Sequence, residues 1–508
     1  MTSMSGIALL SLSGPGMVGV PGVSMRLFGA LAAKEISIIL ITQASSEHSI
    51  TFGIDEQSVE LARQAVENAF AWEISTGKLN PILVETELSV IALVGEGMKH
   101  RVGLSGKLFG ACGANGVNIH AIAQGSSERI VSAVIRSTDV TKALNVLHEA
   151  FFENDTRKAH LFVVGVGNVG TVLLGQIAVQ QKFLKEMHGI ELRVAGLANS
   201  RKMLFSERGI DLSDWKGALR EGEEMDIRAY LQRMKAANLH NSIFLDNTAS
   251  HDIASLYEEV LSSNISVVTP NKVAASSEYD RYQRLKQTAK RYGVKFLFET
   301  NVGAGLPVIG TLNDLVRSGD RIHRIDAVLS GTLNFLFNNF QQGTVFHEIV
   351  RRAQDEGYTE PDPRIDLSGI DVMRKILILA RESGRKMELD DISLKSFLPA
   401  ACQDTADIPA FYKALEENGA HFDALLAEAD AKGERLKFVA TMEGDTARAE
   451  LVSFPQGHPF YELHGKDNIV LFTTDRYQDQ PLVVKGAGAG AAVTAMGIFA
   501  DIIRVVNL

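Results

Sequence analysis

His160–Gly170 reads HLFVVGVGNVG. An apolar run of strand composition leads straight into Gly165-x-Gly167-x-x-Gly170, and Thr171–Gln181 continues with the spacing of a helix. Each glycine has its own physical reason. The first allows a tight turn, the second lets a pyrophosphate approach the backbone, and the third lets helix and strand pack closely. The N–H groups at the helix start then face the phosphates. A strand–turn–helix of this kind predicts a doubly wound α/β unit with Gly165, Gly167 and Gly170 at a dinucleotide.

The neighbouring stretches fit the same sheet. A second strand is predicted at Leu192–Ala198, ending in Asn199-Ser200-Arg201. No acidic residue stands at that strand end to hold a ribose hydroxyl, and Arg201 is placed for a 2′-phosphate. NADP(H) is therefore the preferred cofactor, with NAD(H) the alternative. Further strands are predicted at Ser242–Leu245 and Ser266–Thr269. Ligands bind beyond the carboxyl ends of strands in open α/β sheets, so Thr248, Ser250 and Lys272 are cofactor-side candidates. Lys272 is also a candidate for the chemistry; its alternative is a solvated loop lysine.

A second informative stretch is Gly357–Lys375, GYTEPDPRIDLSGIDVMRK. Pro361 and Pro363 impose a loop on its first half. Asp366 or Ser368 is then placed to cap a helix running through Asp371, Lys375 and Ile376–Ala380. Asp371 and Lys375 are four apart and share one helix face. A loop carboxylate beside such a pair suits an amino-acid head group and a lysine ready to give a proton. An acidic turn followed by an ordinary helical ion pair is the bland alternative.

The front of the chain is duplicated. LITQASSE at Leu40–Glu47 recurs as AIAQGSSE at Ala121–Glu128, LFGA at Leu27–Ala30 recurs at Leu108–Ala111, and Gly14-Pro-Gly-Met17 recurs as Gly95-Glu-Gly-Met98. One constant offset relates all three pairs, the signature of an internal repeat. Each copy reads as a βαββα unit with a closing strand. Gln43 and Gln124 occupy matching places, and a glutamine amide offers both a donor and an acceptor to an amino-acid effector. Capping of a strand end is the alternative role.

The 508 residues suit three or four domains. The net charge of −10 is spread along the chain, which argues against nucleic acid and anionic membranes as partners. Two distant cysteines, Cys112 and Cys402, fit a reducing cytoplasm, or a plastid if the source is a plant. The start lacks the basic region of a signal peptide.

The repeats resemble paired ACT domains, amino-acid-sensing βαββαβ modules. Seven further blocks, in order, resemble homoserine dehydrogenase: GVGNVG, DNTAS (Asp246–Ser250), TPNK (Thr269–Lys272), ETNVGAGLP (Glu299–Pro307), SGTLN (Ser330–Asn334), the Gly357–Lys375 block and GAGAGAAVTA (Gly486–Ala495). TPNKV departs slightly from relatives that read TPNKK. Together they are similar to the ACT-plus-dehydrogenase part of bifunctional aspartokinase–homoserine dehydrogenases, so the chain is expected to be a shortened form without the kinase domain.

The resemblance implies NAD(P)H-dependent interconversion of L-aspartate 4-semialdehyde and L-homoserine. It implies Glu360 and Asp371 on the substrate, Asp366 near it, Gly357 and Gly490 as backbone contacts, and Lys375 as proton donor with Lys272 beside it. It places Val166, Asn168, Val169, Ala198 and Thr248 on the cofactor. A monovalent cation, Na⁺ or K⁺, is implied at Glu299, Val302, Ala304 and Leu306, and threonine at Gln43 and Gln124. The expected fold is α/β and α+β multidomain: ACT domains at 1–85 and 86–154, a Rossmann domain at 155–299, an α+β substrate and dimerisation domain at 300–467, and a return to the nucleotide domain at 468–508. A homodimer or homotetramer follows from the same resemblance. Two alternatives stay open: an NADP enzyme for another amino-acid semialdehyde, and a catalytically inactive sensing subunit.

Overall fold

The computed structural model describes residues 1–508 except 44–47, 96–97, 99–102, 125–129, 153–155, 466 and 508. The chain forms two compact units, one of Met1–Arg157 with Ala237–His240, the other of Lys158–Ala236 with Asn241–Leu508.

The first unit holds one six-stranded sheet in the order β2-β3-β1-β4-β6-β5. Its strands are β1 (Thr2–Ser13), β2 (Ile38–Gln43), β3 (Ser49–Asp55), β4 (Leu83–Val94), β5 (Ala121–Gln124) and β6 (Ile130–Arg136). From Ile7 to Leu10 β1 is apolar on both faces. Ala8, Leu10 and Leu12 pack under the helices Val23–Ala32 and Val59–Ala69, while Ile7 and Leu9 meet Leu40, Leu88, Ala121 and Val134 on the other face. The duplication explains the single sheet. Leu83–Glu85 of β4 pair with Leu9–Ser11, and Thr2–Ser5 of β1 pair with Ser89–Ala92. Each repeat is thus closed by part of a strand that begins the other. The boundary expected after Glu85 falls inside β4.

In the second unit a seven-stranded sheet has the order β10-β9-β8-β7-β11-β12-β13. It comprises β7 (Arg157–Val164), β8 (Ile190–Ala198), β9 (Lys202–Phe205), β10 (Glu223–Glu224), β11 (Ser242–Asp246), β12 (Ser266–Val268) and β13 (Phe296–Leu297). β7, β11, β12 and β13 run parallel. Their near-continuous apolar composition suits strands covered on both faces. The helix Asn168–His188 packs Leu173 and Ile177 against Leu161 and Val163.

A second sheet follows in the order β15-β17-β16-β14-β18-β19. Its members are β14 (Ile322–Val328), β15 (Ile392–Lys395), β16 (Arg435–Glu443), β17 (Thr446–Phe454), β18 (Asp467–Thr474) and β19 (Leu482–Ala487). The return to the nucleotide sheet, expected from Asn468, begins later. β18 pairs antiparallel with β14 and β19 with β18, so both stay in the second sheet. Only the helix Ala491–Val506 crosses back, where Ala495, Ile498 and Ile502 join the core around Leu173 and Ile177. No helix among the described residues is long and apolar enough to cross a membrane.

Candidate functional site

The glycine turn after β7 has the form its sequence predicts. Gly165 has φ +91°, and a Cβ there would lie 2.8 Å from Thr248 Cγ2. A Cβ on Gly170 would lie 2.1 Å from the Gly165 carbonyl oxygen, so only glycine lets the helix start this close to the strand. Nothing crowds Gly167. A cleft of about 540 Å³ opens here, lined by Gly165, Val166, Gly167, Thr171, Asn199, Ser200, Trp215, Lys216, Leu219, Arg220, Asn247 and Thr248. Both side-chain amide atoms of Asn247 are buried without a partner among the described residues. Orphaned polar atoms beside an open glycine turn fit a polar ligand such as a dinucleotide.

Arg201 does not line this cleft. Its backbone N–H is turned onto Asn199 Oδ1 at 2.7 Å, and its side chain is exposed. The cleft's cations are Lys216 and Arg220, from the short helix Trp215–Arg220. The sequence carried a signal for them, two cations four apart in WKGALR. Asn168, Val169, Gly170, Ala198, Ser250, Lys272 and Gly490 are also outside the lining. Ala198 is buried and its carbonyl accepts from Gly165 N–H at 2.9 Å. Ser250 caps the helix His251–Ala254 through the Ile253 N–H.

Asp246, fully buried at the end of β11, ties the cleft to the lysines. Its carboxylate accepts from Thr248 N–H at 2.8 Å, Thr248 Oγ1 at 2.6 Å, Tyr257 OH at 2.5 Å and Asn271 Nδ2 at 3.0 Å. Burial raises its pKa against these donors. Asn271 caps the helix Lys272–Ala275 through Val273 N–H, which sets the start of Lys272.

Lys272 Nζ stands 3.4 Å from Asp371 Oδ1, and Lys375 Nζ stands 2.8 Å from Asp371 Oδ2. Lys375 also donates to the Leu329 carbonyl at 2.7 Å. Burial works against ionisation of Asp371, but the Lys375 and Lys272 charges prevail and hold its pKa well below the usual carboxylate range. The Lys272 ammonium is lowered, first by burial and then by Lys375, with Asp371 pulling the other way. One half-exposed carboxylate thus orders two ammonium groups.

The loop before them differs from its sequence expectation. An additional short helix, Pro363–Leu367, interrupts the expected loop and is capped by Asp362, which accepts from Arg364 N–H at 3.0 Å with Pro363 in the first turn. Asp366 lies inside that helix, where its carboxylate accepts from Thr332 Oγ1 at 3.0 Å and Glu360 N–H at 2.8 Å. Burial raises its pKa. The helix that carries Asp371 and Lys375, Ile370–Glu382, has Gly369 at its N-cap in place of the expected Asp366 or Ser368, although Ser368 Oγ accepts from the Ile370 N–H at 3.3 Å. Glu360 is exposed and reaches this group through its backbone N–H. Gly357 ends the helix Phe346–Asp355 with φ +72°. Gly490 precedes the helix Ala491–Val506.

The Glu299 carboxylate is engaged by Ile309 N–H at 2.6 Å, Gly310 N–H at 2.8 Å and Arg504 Nη1 at 2.8 Å. It thereby takes two first-turn N–H groups of the helix Val308–Arg317, whose N-cap is Pro307. Val302 and Ala304 are buried beside it, and Ala304 turns the backbone at φ +52°. Among the described residues no group of three or more His, Cys, Asp or Glu is placed to hold a metal. A cation here would rest on backbone oxygens.

In the first unit Gln43 lines a separate cleft of about 380 Å³ with Met17, Gly19, Val20, Pro21, Gly22, Val23, Ser24 and Ile50. In the second repeat Gln124 Oε1 accepts from Ser105 Oγ at 3.1 Å. The Ser-Ser-Glu triplets after both glutamines lie outside the described residues.

The ACT domain family model matches residues 10–70 and 91–151, the homoserine dehydrogenase NAD binding domain model 165–299, and the homoserine dehydrogenase model 307–503. A bifunctional aspartokinase/homoserine dehydrogenase of Haemophilus influenzae is 40% identical over 505 residues, covering 99% of this chain and 62% of that protein. The chain therefore spans less than two thirds of this bifunctional relative. The homoserine dehydrogenase of Schizosaccharomyces pombe is 37% identical over 355 residues, 68% of this chain and 94% of that protein. A hyperthermophilic archaeal homoserine dehydrogenase in complex with NADPH shares the fold, with a TM-score of 0.54 at 24% identity over 68% of this chain and 97% of that one. With its glycine turn, its paired lysines and a relative matched over nearly its whole length, the chain belongs to the homoserine dehydrogenase family of oxidoreductases and carries two ACT domains ahead of the dehydrogenase part.

Proposed function

We propose that this chain interconverts L-aspartate 4-semialdehyde and L-homoserine with NADP(H). The observation that carries this reading is the Asp371 carboxylate held between Lys272 and Lys375 and linked through Asn271 and Asp246 to Thr248 on the wall of the glycine-turn cleft.

A nicotinamide dinucleotide bound along Gly165–Gly167 and Thr248 would supply the hydride. The aldehyde oxygen gains negative charge in the transition state, and Lys375 Nζ stabilises it and gives it a proton. Help of this kind is typically worth about 10²–10⁴-fold. Asp371 holds Lys375 in one rotamer through its 2.8 Å contact. Lys272 adds a second positive charge. Glu360 and Asp371 bind the substrate ammonium and so orient the aldehyde end. Asp366 fixes the Glu360 backbone and Thr332 on either side of itself. Lys216 and Arg220 supply the charge for a 2′-phosphate, which favours NADP(H) over NAD(H). A monovalent cation would be held by Glu299, Val302, Ala304 and Leu306, largely through backbone oxygens, threonine would bind beside Gln43 and Gln124, and the chain would act as a homodimer or homotetramer.

Comparing turnover of L-aspartate 4-semialdehyde with that of its one-carbon-longer homologue tests the substrate. A strong preference for the shorter aldehyde is expected. Equal turnover, or none of either, would refute the assignment.

A further inference from the structure

We propose that Asn468 is a positioning residue for Lys375, acting through the Leu329 carbonyl; this rests on the reading of Lys375 as proton donor. Asn468 is the second residue of β18 and is fully buried. Its Nδ2 donates to the Leu329 oxygen at 3.3 Å, the same oxygen that takes Lys375 Nζ at 2.7 Å. A carbonyl oxygen has two lone pairs and accommodates both donors. The amide fixes the direction of that carbonyl and therefore the direction in which the lysine is drawn.

Packing alone does not explain an amide here. Asn468 Oδ1 is buried with no donor from the described residues. A buried acceptor without a donor is unfavourable, a cost that an apolar side chain of the same shape avoids. The opposing strand end is also fitted to it. A Cβ on Gly488 would lie 2.0 Å from Asn468 Cγ, 2.1 Å from Nδ2 and 2.4 Å from Oδ1. The amide occupies the space a side chain at 488 would need.

The backbone that carries Asn468 is clamped from behind. Asn334 Nδ2 donates to the Gly465 and Asp467 carbonyls at 3.2 and 3.1 Å. The fully buried Lys437 in turn donates to Asn334 Oδ1 at 3.0 Å, Asn338 Oδ1 at 2.6 Å and the Leu463 carbonyl at 2.7 Å. A polar ladder thus runs from β16 through Asn334 and Asn468 to Leu329 and Lys375. Asp371 and Leu329 engage two of the three N–H bonds of the ammonium, so these acceptors set where the third one points. That third N–H is the one left for the substrate oxygen.

The test is a double-mutant cycle on kcat with L-aspartate 4-semialdehyde, with NADPH affinity measured in parallel. Asn468→Ala is expected to lower kcat on the order of 10- to 100-fold, the scale of a small misplacement of a reacting group, and to leave NADPH affinity within about twofold. In the Lys375→Ala background the same change is expected to add nothing, because both act through one ammonium. Asn468→Asp keeps the shape but loses the donor, and is expected to be as slow as Asn468→Ala; it carries the test if Asn468→Ala fails to bind NADPH. Wild-type kcat in Asn468→Asp, or losses that multiply in the double variant, overturns the role of Asn468 alone. Wild-type turnover in Lys375→Ala overturns the proton-donor reading, and this inference with it.

Discussion

Asp371 serves two lysines, and at the scale of single residues that makes it the most sensitive position in the site. Asp371→Asn is expected to lower kcat/KM more than loss of either of its two contacts alone would, because it leaves two neighbouring ammonium groups facing each other with no charge between them. Steady-state kinetics check this, and kcat/KM unchanged within about twofold would count against it. Glu360→Ala is expected mainly to raise the KM for the semialdehyde, by about tenfold, the scale of one lost charge-assisted hydrogen bond; an unchanged KM would reassign the ammonium contact. Asp371 and Lys375 were legible in the sequence because a spacing of four has one meaning on a helix. The Leu329 carbonyl and Asn468 were not. A main-chain oxygen has no sequence signature, and Asn468 reaches Lys375 from a strand in the second sheet.

At the scale of elements, the parallel strands were legible as apolar runs ending in polar turns, and β8, β11 and β12 stand within a few residues of their expected positions. The misplaced cation shows the limit of such reading. Arg201 lies three residues past the end of β8, but the Asn199 side chain accepts from the N–H groups of both Arg201 and Lys202 and folds the turn back. The helix Trp215–Arg220 brings its own cations to the cleft instead. Replacing both Lys216 and Arg220 by alanine is expected to raise the KM for NADPH on the order of tenfold or more while changing that for NADH little, at roughly 1.5–3 kcal/mol for each hydrogen bond to a charged group. A parallel rise for both cofactors would move the 2′-phosphate elsewhere. β16 carries a second element-scale prediction. Lys437 has a pKa lowered to about 8, first by burial and then by Arg435 and Lys485. The unfolded side chain titrates near 10.4. Between these values the unfolded chain binds more protons, so this residue makes stability rise as pH increases from about 8 to about 10.4. Lys437→Met is expected to remove that rise and to cost about 1–3 kcal/mol at neutral pH by stranding the Asn334 and Asn338 oxygens. Thermal unfolding midpoints at pH 7.5 and 9.5 read both effects.

On the scale of the whole molecule, the repeat at the front predicted two similar modules and the structure joins them in one sheet. The duplication was legible because its offset is constant. The exchange of strand halves between β1 and β4 was not, because Thr2–Ser5 is mostly polar and exposed, and only the register shows that it pairs with Ser89–Ala92. The dehydrogenase unit is likewise one body built from two sheets, and its C-terminal helix returns to the first of them. Lys272, Asp371 and Asn468, distant in sequence, are brought together by Asp371 between the two lysines and by the Leu329 carbonyl shared by Lys375 and Asn468. Ligand binding to an ACT module changes catalysis only by favouring one global state over another. Gln43→Ala is expected to weaken threonine binding by about tenfold and to leave NADPH oxidation without threonine unchanged; calorimetry and the uninhibited rate decide between this and a purely structural glutamine. The central claim is that Lys375 acts on the aldehyde oxygen beside the glycine-turn cleft. Its most direct test is NADPH oxidation by L-aspartate 4-semialdehyde in the wild type and in Lys375→Ala, with NADPH affinity measured for both. The account predicts a loss in kcat of about 10²-fold or more at unchanged affinity, whereas near-normal turnover in Lys375→Ala would contradict it.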